Sequence, residues 1–158
     1  VAEGDVNKST APNPYNPSSL PDNPVDTVAT TTPLSTPSKA GTHPIALHWL
    51  DWNRPGQATV TPLEDDWFSI TGSQKRDSVG YLKIDGKIRR LSEKELEFDG
   101  RIETQTATTN GGQPCVKEGK QIFYAKGNRT YFRLQNMINC EGGGLVDYVD
   151  IFPGTSGL

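Results

Sequence analysis

Apolar and polar side chains alternate along the stretch "YLKIDGKIRRLSEKELEFDGRIET", residues 81–104. Its apolar residues occupy even positions: Leu82, Ile84, Ile88, Leu96, Phe98 and Ile102. A period of two is typical of β-strands, because successive side chains of a strand point to opposite faces. No helical spacing fits the same positions. The stretch therefore predicts strands with one buried face.

The polar positions predict one long hairpin that reverses through Ser92-Glu93-Lys94. Four pairs of opposite charge then face each other: Lys83 with Glu103, Asp85 with Arg101, Lys87 with Asp99, and Arg89 with Glu97. A slip of two residues would oppose like charges, and a slip of one would turn the apolar face to water. The pattern therefore specifies the register. These charges are expected to be solvated surface pairs rather than a metal or catalytic cluster.

The dipeptide Asp-Gly occurs twice in this stretch, at Asp85-Gly86 and Asp99-Gly100. Each is alternatively the two-residue turn of a short hairpin. In the long hairpin the two glycines lie opposite each other in mid-strand, where they permit the sharp coiling of a barrel. We favour the long hairpin because the charge pairing is not obtained otherwise.

A second hairpin is predicted by "QIFYAKGNRTYFRLQ", with Gly127-Asn128 as a two-residue turn. In this register Phe123 faces Phe132 on one side, and Tyr124 faces Tyr131 on the other. Tyr124, Tyr131, Arg133 and Gln135 share a face. Tyrosine and arginine together are typical of a recognition surface, so we name this face as a candidate binding surface.

Extending the second hairpin without a bulge opposes the two cysteines, Cys115 and Cys140, at its open end. Opposed residues of an antiparallel pair lie within disulfide range, so we predict one disulfide. The alternative is a nucleophilic Cys115 with His48 as its base, but no protease-like signature surrounds this cysteine. A disulfide indicates an oxidising compartment.

Short strands with turn signals about every ten residues predict an all-β fold. The expected strands lie near 45–52, 57–61, 66–72, 79–91, 95–106, 116–126, 129–138 and 145–152. We predict a small antiparallel β-barrel of about eight strands, with a β-sandwich as the alternative.

Composition changes near residue 44 of the 158 residues. Residues 1–44 hold eight of the twelve prolines but only one of the thirteen aromatic residues, Tyr15. Such a segment cannot bury enough apolar surface to order itself. We predict a disordered Pro/Thr/Ser-rich tether at 1–44, a β domain at 45–152 and a flexible end at 153–158. The tether is expected to hold the domain away from a membrane or a cell wall.

Charge and motifs exclude several functions. A net charge of −3 argues against nucleic acid as a partner, and no apolar run is long enough for a transmembrane segment. Two histidines and no CxxC or HxxxH spacing predict no metal site, and no cofactor motif is present. Asp147 and Asp150 differ in parity along a predicted strand, so they are not expected to form an acid/base pair.

Trp52 is a further candidate for a binding residue, because it lies beside Asn53-Arg54-Pro55-Gly56, a sequence typical of a turn. We interpret it as an exposed stacking residue for a sugar or a protein partner. The alternative is a tryptophan of the core.

The sequence predicts a non-catalytic, extracytoplasmic binding module, which is periplasmic, tethered to the outer membrane or secreted. Its expected partner is a protein, for example a wall-active enzyme that it inhibits or another component of an envelope or secretion assembly. One alternative is a carbohydrate-binding module that uses Trp52 and Tyr131. The other is a small hydrolase, for which the sequence names no catalytic residue.

Overall fold

The computed structural model describes residues 39–158, which form a closed antiparallel barrel of eight strands. Each strand pairs with the next, and the last strand pairs with the first. The strands are β1 (Gly41–Leu47), β2 (Gly56–Pro62), β3 (Phe68–Arg76), β4 (Gly80–Arg90), β5 (Glu95–Thr106), β6 (Cys115–Tyr124), β7 (Phe132–Leu134) and β8 (Val149–Ile151). The all-β prediction is confirmed, and the fold is the barrel rather than the sandwich.

The first strand begins at Gly41, which is earlier than the predicted start of the domain at residue 45. A single 3₁₀ turn, Asn110–Gly112, lies between β5 and β6. Residues 1–38 of the predicted tether lie outside the described residues.

The long hairpin of β4 and β5 has the predicted register. Ile84 pairs with Ile102, and all four oppositely charged pairs stand opposite each other. Arg89 forms the ion pair with Glu97, at 2.9 Å. A Cβ atom on Gly86 would lie 2.5 Å from the main-chain oxygen of Asp99. Glycine is therefore required where the two strands approach closely in the coiled hairpin.

Alternate residues of the strands fill the barrel with apolar side chains. The largest of the fully buried ones are Phe98, Phe123, Ile45, Leu47, Ile70, Leu82, Ile84, Ile88, Leu96, Ile102, Leu134 and Ile151. Each such side chain contributes about 1.5–3 kcal/mol by leaving water. The barrel interior is therefore a packed core, and binding chemistry is left to its outer wall and its ends.

The predicted register of the second hairpin is wrong by two residues. Phe123 pairs with Leu134 and Tyr124 with Arg133. The Gly127-Asn128 turn exists, but β6 ends at Tyr124 and β7 begins at Phe132. Residues 125–131 therefore form a loop between the strands that is longer than the predicted two-residue turn. A shift of two residues preserves parity, so the predicted faces are kept.

The disulfide between Cys115 and Cys140 is present, with the Cα atoms 5.6 Å apart. The route predicted for it is wrong, because the β6–β7 ladder covers two residue pairs and β7 ends at Leu134. Cys140 instead lies in a loop closed by a bridge between Ile138 and Val146. The bond therefore fastens this loop to the start of β6.

Residues 153–158, assigned to a flexible end by the sequence analysis, lie against β1. Thr155 donates its main-chain N–H to the oxygen of Thr42, at 2.9 Å, and its Oγ1 accepts the N–H of Thr42, at 3.0 Å. Gly157 donates to the oxygen of Lys39, at 2.8 Å. These bonds hold the segment across one end of the barrel.

Candidate functional site

The loop that carries Trp52 follows β1 and is fastened by a side chain from β3. β1 ends at Leu47, earlier than predicted, because the N–H of Leu50 bonds back to the oxygen of Leu47. The buried Gln74 accepts the N–H of Leu47, at 2.8 Å, and donates to the main-chain oxygens of Asp51 and Arg54. One amide therefore fixes the loop at three points.

The carboxylate of Asp51 fastens the same loop from its outer side. It lies 2.6 Å from Nε of Arg54 and 2.5 Å from a guanidinium nitrogen of Arg76 on β3. The hydrogen bond from Arg54 holds the pKa of Asp51 below its usual value. The loop is thus positioned before any ligand arrives.

Asp150 is the centre of the site on the outer wall of the barrel. It lies on β8 between Ala46 of β1 and Arg133 of β7, and its side chain is 0% exposed. Arg133 donates to both carboxylate oxygens, at 2.8 and 3.0 Å, and the indole N–H of Trp52 donates at 2.9 Å. A buried carboxylate needs such compensation, and a bidentate guanidinium is its strongest form.

Aromatic rings enclose the guanidinium of Arg133. Its carbon lies 4.1 Å from the ring centre of Tyr148 and 5.4 Å from that of Tyr131. The rings of Trp52 and Tyr131 meet edge to face at 5.3 Å, and both contact Phe152. The hydrogen bonds with Asp150 raise the pKa of Arg133. Cation–π contacts of this kind contribute about 0.5–2 kcal/mol each.

The structure brings the predicted candidates together on one wall of the barrel. Trp52 contacts Tyr131, Tyr124 pairs with Arg133, and the exposed Gln135 donates to the oxygen of Arg133. We call these five residues the Trp52 surface. Trp52 is 39% exposed, although its indole N–H is already bonded within the protein.

A second tryptophan–aspartate pair supports the neighbouring loop. Trp49 donates its indole N–H to the buried Asp147, at 2.8 Å, and Asn139 donates to the same carboxylate. Asp147 lies outside β8, so the parity argument does not apply to it. Each aspartate is nonetheless held by a different tryptophan.

Sequence reasoning missed Asp150, Tyr148 and Phe152 as parts of the site. The sequence contains one signal of these contacts, because Trp49 and Trp52 have the same spacing as Asp147 and Asp150. The structure joins Trp49 to Asp147 and Trp52 to Asp150. Their burial could not be read from the sequence, because a loop after β1 covers an outward face of β8.

His48 lies beside Trp49, and it bonds to Tyr148 through both its ring and its main chain. Its Nδ1 accepts the N–H of Tyr148, at 3.0 Å, so the neutral ring carries its proton on Nε2. Burial lowers the pKa of His48, and the charge of Asp147 opposes that shift. Protonation would replace this acceptor with a donor and break the bond to Tyr148.

One end of the barrel holds a cavity of about 590 Å³. At its edge Nδ1 of His43 donates to the main-chain oxygen of Phe152, at 2.8 Å, and Nε2 accepts from the hydroxyl of Ser156, at 2.6 Å. This geometry resembles that of a nucleophile and its base. However, the N–H of Leu158 donates to Ser156 Oγ and that of Gly157 to Lys39, so neither serves an oxyanion. We therefore interpret His43 as a structural residue whose hydrogen bonds to Phe152 and Ser156 hold the segment 153–158 in place.

Stability is expected to fall as the pH drops from about 7.5 towards about 5. Burial lowers the pKa of His43 from its ordinary value of 6.5, so between the two values the unfolded chain binds more protons than the folded one. The contribution of His43 to the free energy of unfolding is full above the pKa that this residue has in the unfolded chain. It is lost as the pH falls through the lower pKa that His43 has in the folded protein. The slope is at most about 1.4 kcal/mol per pH unit for this histidine.

Urea unfolding at a series of pH values measures this slope. The variant His43→Gln should be less stable at about pH 7.5 but should show a shallower pH dependence. If the free energy of unfolding depended equally on pH in the two proteins, the neutral His43 would not be the residue that holds this segment in place.

Residues 39–158 contain no group of three or more His, Cys, Asp or Glu side chains arranged to hold a metal ion. In the same residues there is no helix with the length and apolar character that a membrane crossing requires.

Comparison with known proteins identifies relatives over most of the chain. The sequence profile of the PM1083 family matches residues 27–153. The chain is 34% identical over 113 residues to the uncharacterized protein PM1083 of Pasteurella multocida (strain Pm70), an alignment that covers 71% of each chain. No solved structure matches. All eight strands and the Trp52 surface lie within the residues that the profile matches.

Proposed function

This chain belongs to the PM1083 family, and we propose that it is a non-catalytic, extracytoplasmic protein-binding module that contacts its partner through the Trp52 surface. The observation that carries the proposal is the assembly of Trp52, Tyr131 and Arg133 around the buried Asp150. Tryptophan, tyrosine and arginine are the residues that most often dominate the binding energy of protein interfaces.

Preorganisation supports a binding role for this surface. Gln74 and Asp51 fix the loop of Trp52, and Asp150 fixes the guanidinium of Arg133 in two directions. Side chains that are ordered before association lose less conformational entropy when a partner binds. The neighbouring Gln135 and Tyr124 provide a more polar margin, as is common around the centre of an interface.

The disulfide between Cys115 and Cys140 supports the proposed location. Disulfides persist in oxidising compartments such as the bacterial periplasm and the cell exterior. We further propose that the part of the predicted tether that precedes β1 anchors the barrel in the envelope. There it inhibits a wall-active enzyme or joins an envelope or secretion assembly.

Binding of the full chain to proteins from the envelope of the producing cells tests the proposal. Immobilised wild-type chain should retain one protein in stoichiometric amount. The dissociation constant of that protein, once purified, should rise at least about tenfold with Trp52→Ala or Tyr131→Ala. The matched controls are Thr59→Ala and Thr71→Ala, a pair of exposed neighbours on β2 and β3.

Equal affinity of the Trp52→Ala variant and the Thr71→Ala variant for the retained protein would remove the Trp52 surface as the contact. Thermal unfolding of every variant must accompany the measurement, since an unfolded variant also loses binding. A retained protein that binds the denatured chain equally well would also contradict the proposal.

Carbohydrate binding is the second candidate, and the partial exposure of Trp52 beside Tyr131 favours it. Aromatic rings stack on sugars, and Trp52 offers a ring that is 39% exposed. An oligosaccharide array with the full chain distinguishes the two candidates. Saturable binding of a glycan, accompanied by a shift of tryptophan fluorescence that Trp52→Ala abolishes, would support the sugar rather than the protein.

A further inference from the structure

We propose that His48 makes the Trp52 surface sensitive to pH, because its neutral ring holds Tyr148 against Arg133 and its protonated ring releases Tyr148. His48 lies outside the Trp52 surface, so it acts on that surface through Tyr148. The effect on partner binding rests on the proposed function, whereas the release of Tyr148 is tested without a partner.

An imidazole ring completes the pairing of β1 with β8. Ala46 pairs with Asp150, and the next hydrogen-bonded pair beyond the end of β1 is His48 with Tyr148. His48 donates its main-chain N–H to the oxygen of Tyr148, at 3.1 Å. The return bond runs from the N–H of Tyr148 to Nδ1 of the ring, at 3.0 Å, in place of the main-chain oxygen of His48. The last bond between these segments therefore depends on a nitrogen that titrates.

Tyr148 links His48 to the Trp52 surface. The ring centres of His48 and Tyr148 lie 4.7 Å apart. The guanidinium carbon of Arg133 lies 4.1 Å from the ring centre of Tyr148 and 5.4 Å from that of Tyr131, which in turn contacts Trp52. A displacement of Tyr148 therefore removes one of the rings that hold the guanidinium.

Protonation of His48 is incompatible with its bond to Tyr148. A neutral imidazole has one donor and one acceptor nitrogen, whereas the protonated ring has two donors and no acceptor. A proton on Nδ1 would face the N–H of Tyr148, donor against donor. The ring then turns away, and the amide of Tyr148 loses its acceptor within the protein.

Burial and three charged groups decide the pH at which this happens. Burial has the largest effect, and it lowers the pKa of His48 below its ordinary value of 6.5. The carboxylates of Asp147 and Asp150 oppose the shift, and the guanidinium of Arg133 adds to it. Asp150 is already compensated by its two bonds with Arg133. The release of Tyr148 is therefore expected below pH 6.5, as the pH falls through the pKa of His48 in the folded protein.

Asp147 attracts the protonated ring. It is buried, and among residues 39–158 its carboxylate accepts hydrogen bonds from two neutral side chains, Trp49 and Asn139. Lys117 on β6 is the other charged group that faces Asp147. A positive ring near this carboxylate would compensate part of its buried charge. His48 therefore has two arrangements, a neutral one bonded to Tyr148 and a charged one attracted to Asp147.

An NMR titration of the isotopically labelled full chain from about pH 7.5 to about pH 5 tests the release of Tyr148. The ring signals of His48, the main-chain N–H of Tyr148 and the side-chain N–H of Arg133 should shift with one midpoint below pH 6.5. The Arg133 signal reports the position of Tyr148, because an aromatic ring shifts the resonances of nuclei above its face. The protection of the Tyr148 amide against hydrogen exchange should fall at least about tenfold across the midpoint.

Two variants of His48 separate the hydrogen bond from the fold. His48→Asn offers an amide oxygen near the position of Nδ1 and does not titrate, so the Tyr148 and Arg133 signals should lose this midpoint. His48→Ala offers no acceptor, so its signals at about pH 7.5 should resemble those of the wild-type chain below the midpoint. The control His43→Gln removes the other histidine and should keep the titration. Should His48→Ala fail to fold, His48→Asn decides.

Partner binding tests the effect on the Trp52 surface. The dissociation constant of the protein retained from envelope extracts, once purified, should be about tenfold higher at about one pH unit below the midpoint than well above it. Only about one-tenth of the chains then carry a neutral His48, which reduces the apparent affinity by that fraction. His48→Asn should remove most of this difference, and His43→Gln should keep it.

The release of Tyr148 is overturned if the ring of His48 stays neutral down to about pH 5. It is also overturned if the Tyr148 and Arg133 signals do not follow the midpoint of His48, or keep that midpoint in His48→Asn. A dissociation constant that is equal above and below the midpoint overturns the regulation of binding alone. If the chain retains no protein from the extract, the proposed function fails, and the NMR titration still decides whether His48 releases Tyr148.

Discussion

Replacing Asp150 with alanine is expected to destabilise the protein by about 3–5 kcal/mol. The substitution removes one partner of a buried, bidentate ion pair and leaves Arg133, whose side chain is 15% exposed, without its counter-charge. The indole N–H of Trp52 loses its acceptor as well. Urea unfolding followed by circular dichroism measures the loss, and tryptophan fluorescence reports the freed indole.

The matched control is Asp85→Ala, which removes an exposed aspartate from a strand of the same barrel. Its effect should stay within about 0.5 kcal/mol, as for most surface substitutions. If both variants lost the same small amount, Asp150 would not be the centre that holds the Trp52 surface together.

Removing the disulfide by Cys115→Ala/Cys140→Ala should lower the free energy of unfolding by about 3–4 kcal/mol. The bond joins residues 25 positions apart, and its loss restores conformational entropy to the unfolded chain. The double variant should still fold at about 25 °C, since the apolar core of the barrel does not include the bond. Denaturant unfolding with and without a reductant measures the difference.

The same double variant decides between a structural bond and a nucleophilic Cys115. Partner binding should survive in the folded double variant, because neither cysteine belongs to the Trp52 surface. A nonreducing peptide map that showed both thiols free in the native protein would contradict the bond itself. Loss of an activity in a variant that is still folded would instead support the hydrolase.

The register of β4 and β5 could be predicted because all its determinants are local. Opposed charges such as Lys83 and Glu103 lie on the two strands of one hairpin, and the period of two fixes which face is apolar. The number of strands and the antiparallel barrel followed from similar short-range signals. The faces of Tyr124 and Arg133 were also predicted correctly, since parity survives a shift of two residues.

Other parts of the site depend on contacts between distant segments. The loop between β6 and β7 is contacted by Lys94 from a different turn, whose ammonium donates to the main-chain oxygen of Gly127, at 2.7 Å. Asp150 is buried by Trp52, 98 residues away along the chain. The contact between Trp52 and Asp150 follows from closure of the barrel between β1 and β8, which no local pattern encodes.

The position of the binding surface can be tested directly with a photo-crosslinking amino acid placed at Gln135 of the full chain. Gln135 is exposed at the edge of the Trp52 surface, and the matched position is Thr71 on the outer face of β3. We expect a single crosslinked protein from Gln135 in envelope extracts, lost in Trp52→Ala and absent from Thr71. Crosslinking of the same protein from both positions, or from Thr71 alone, would contradict the account.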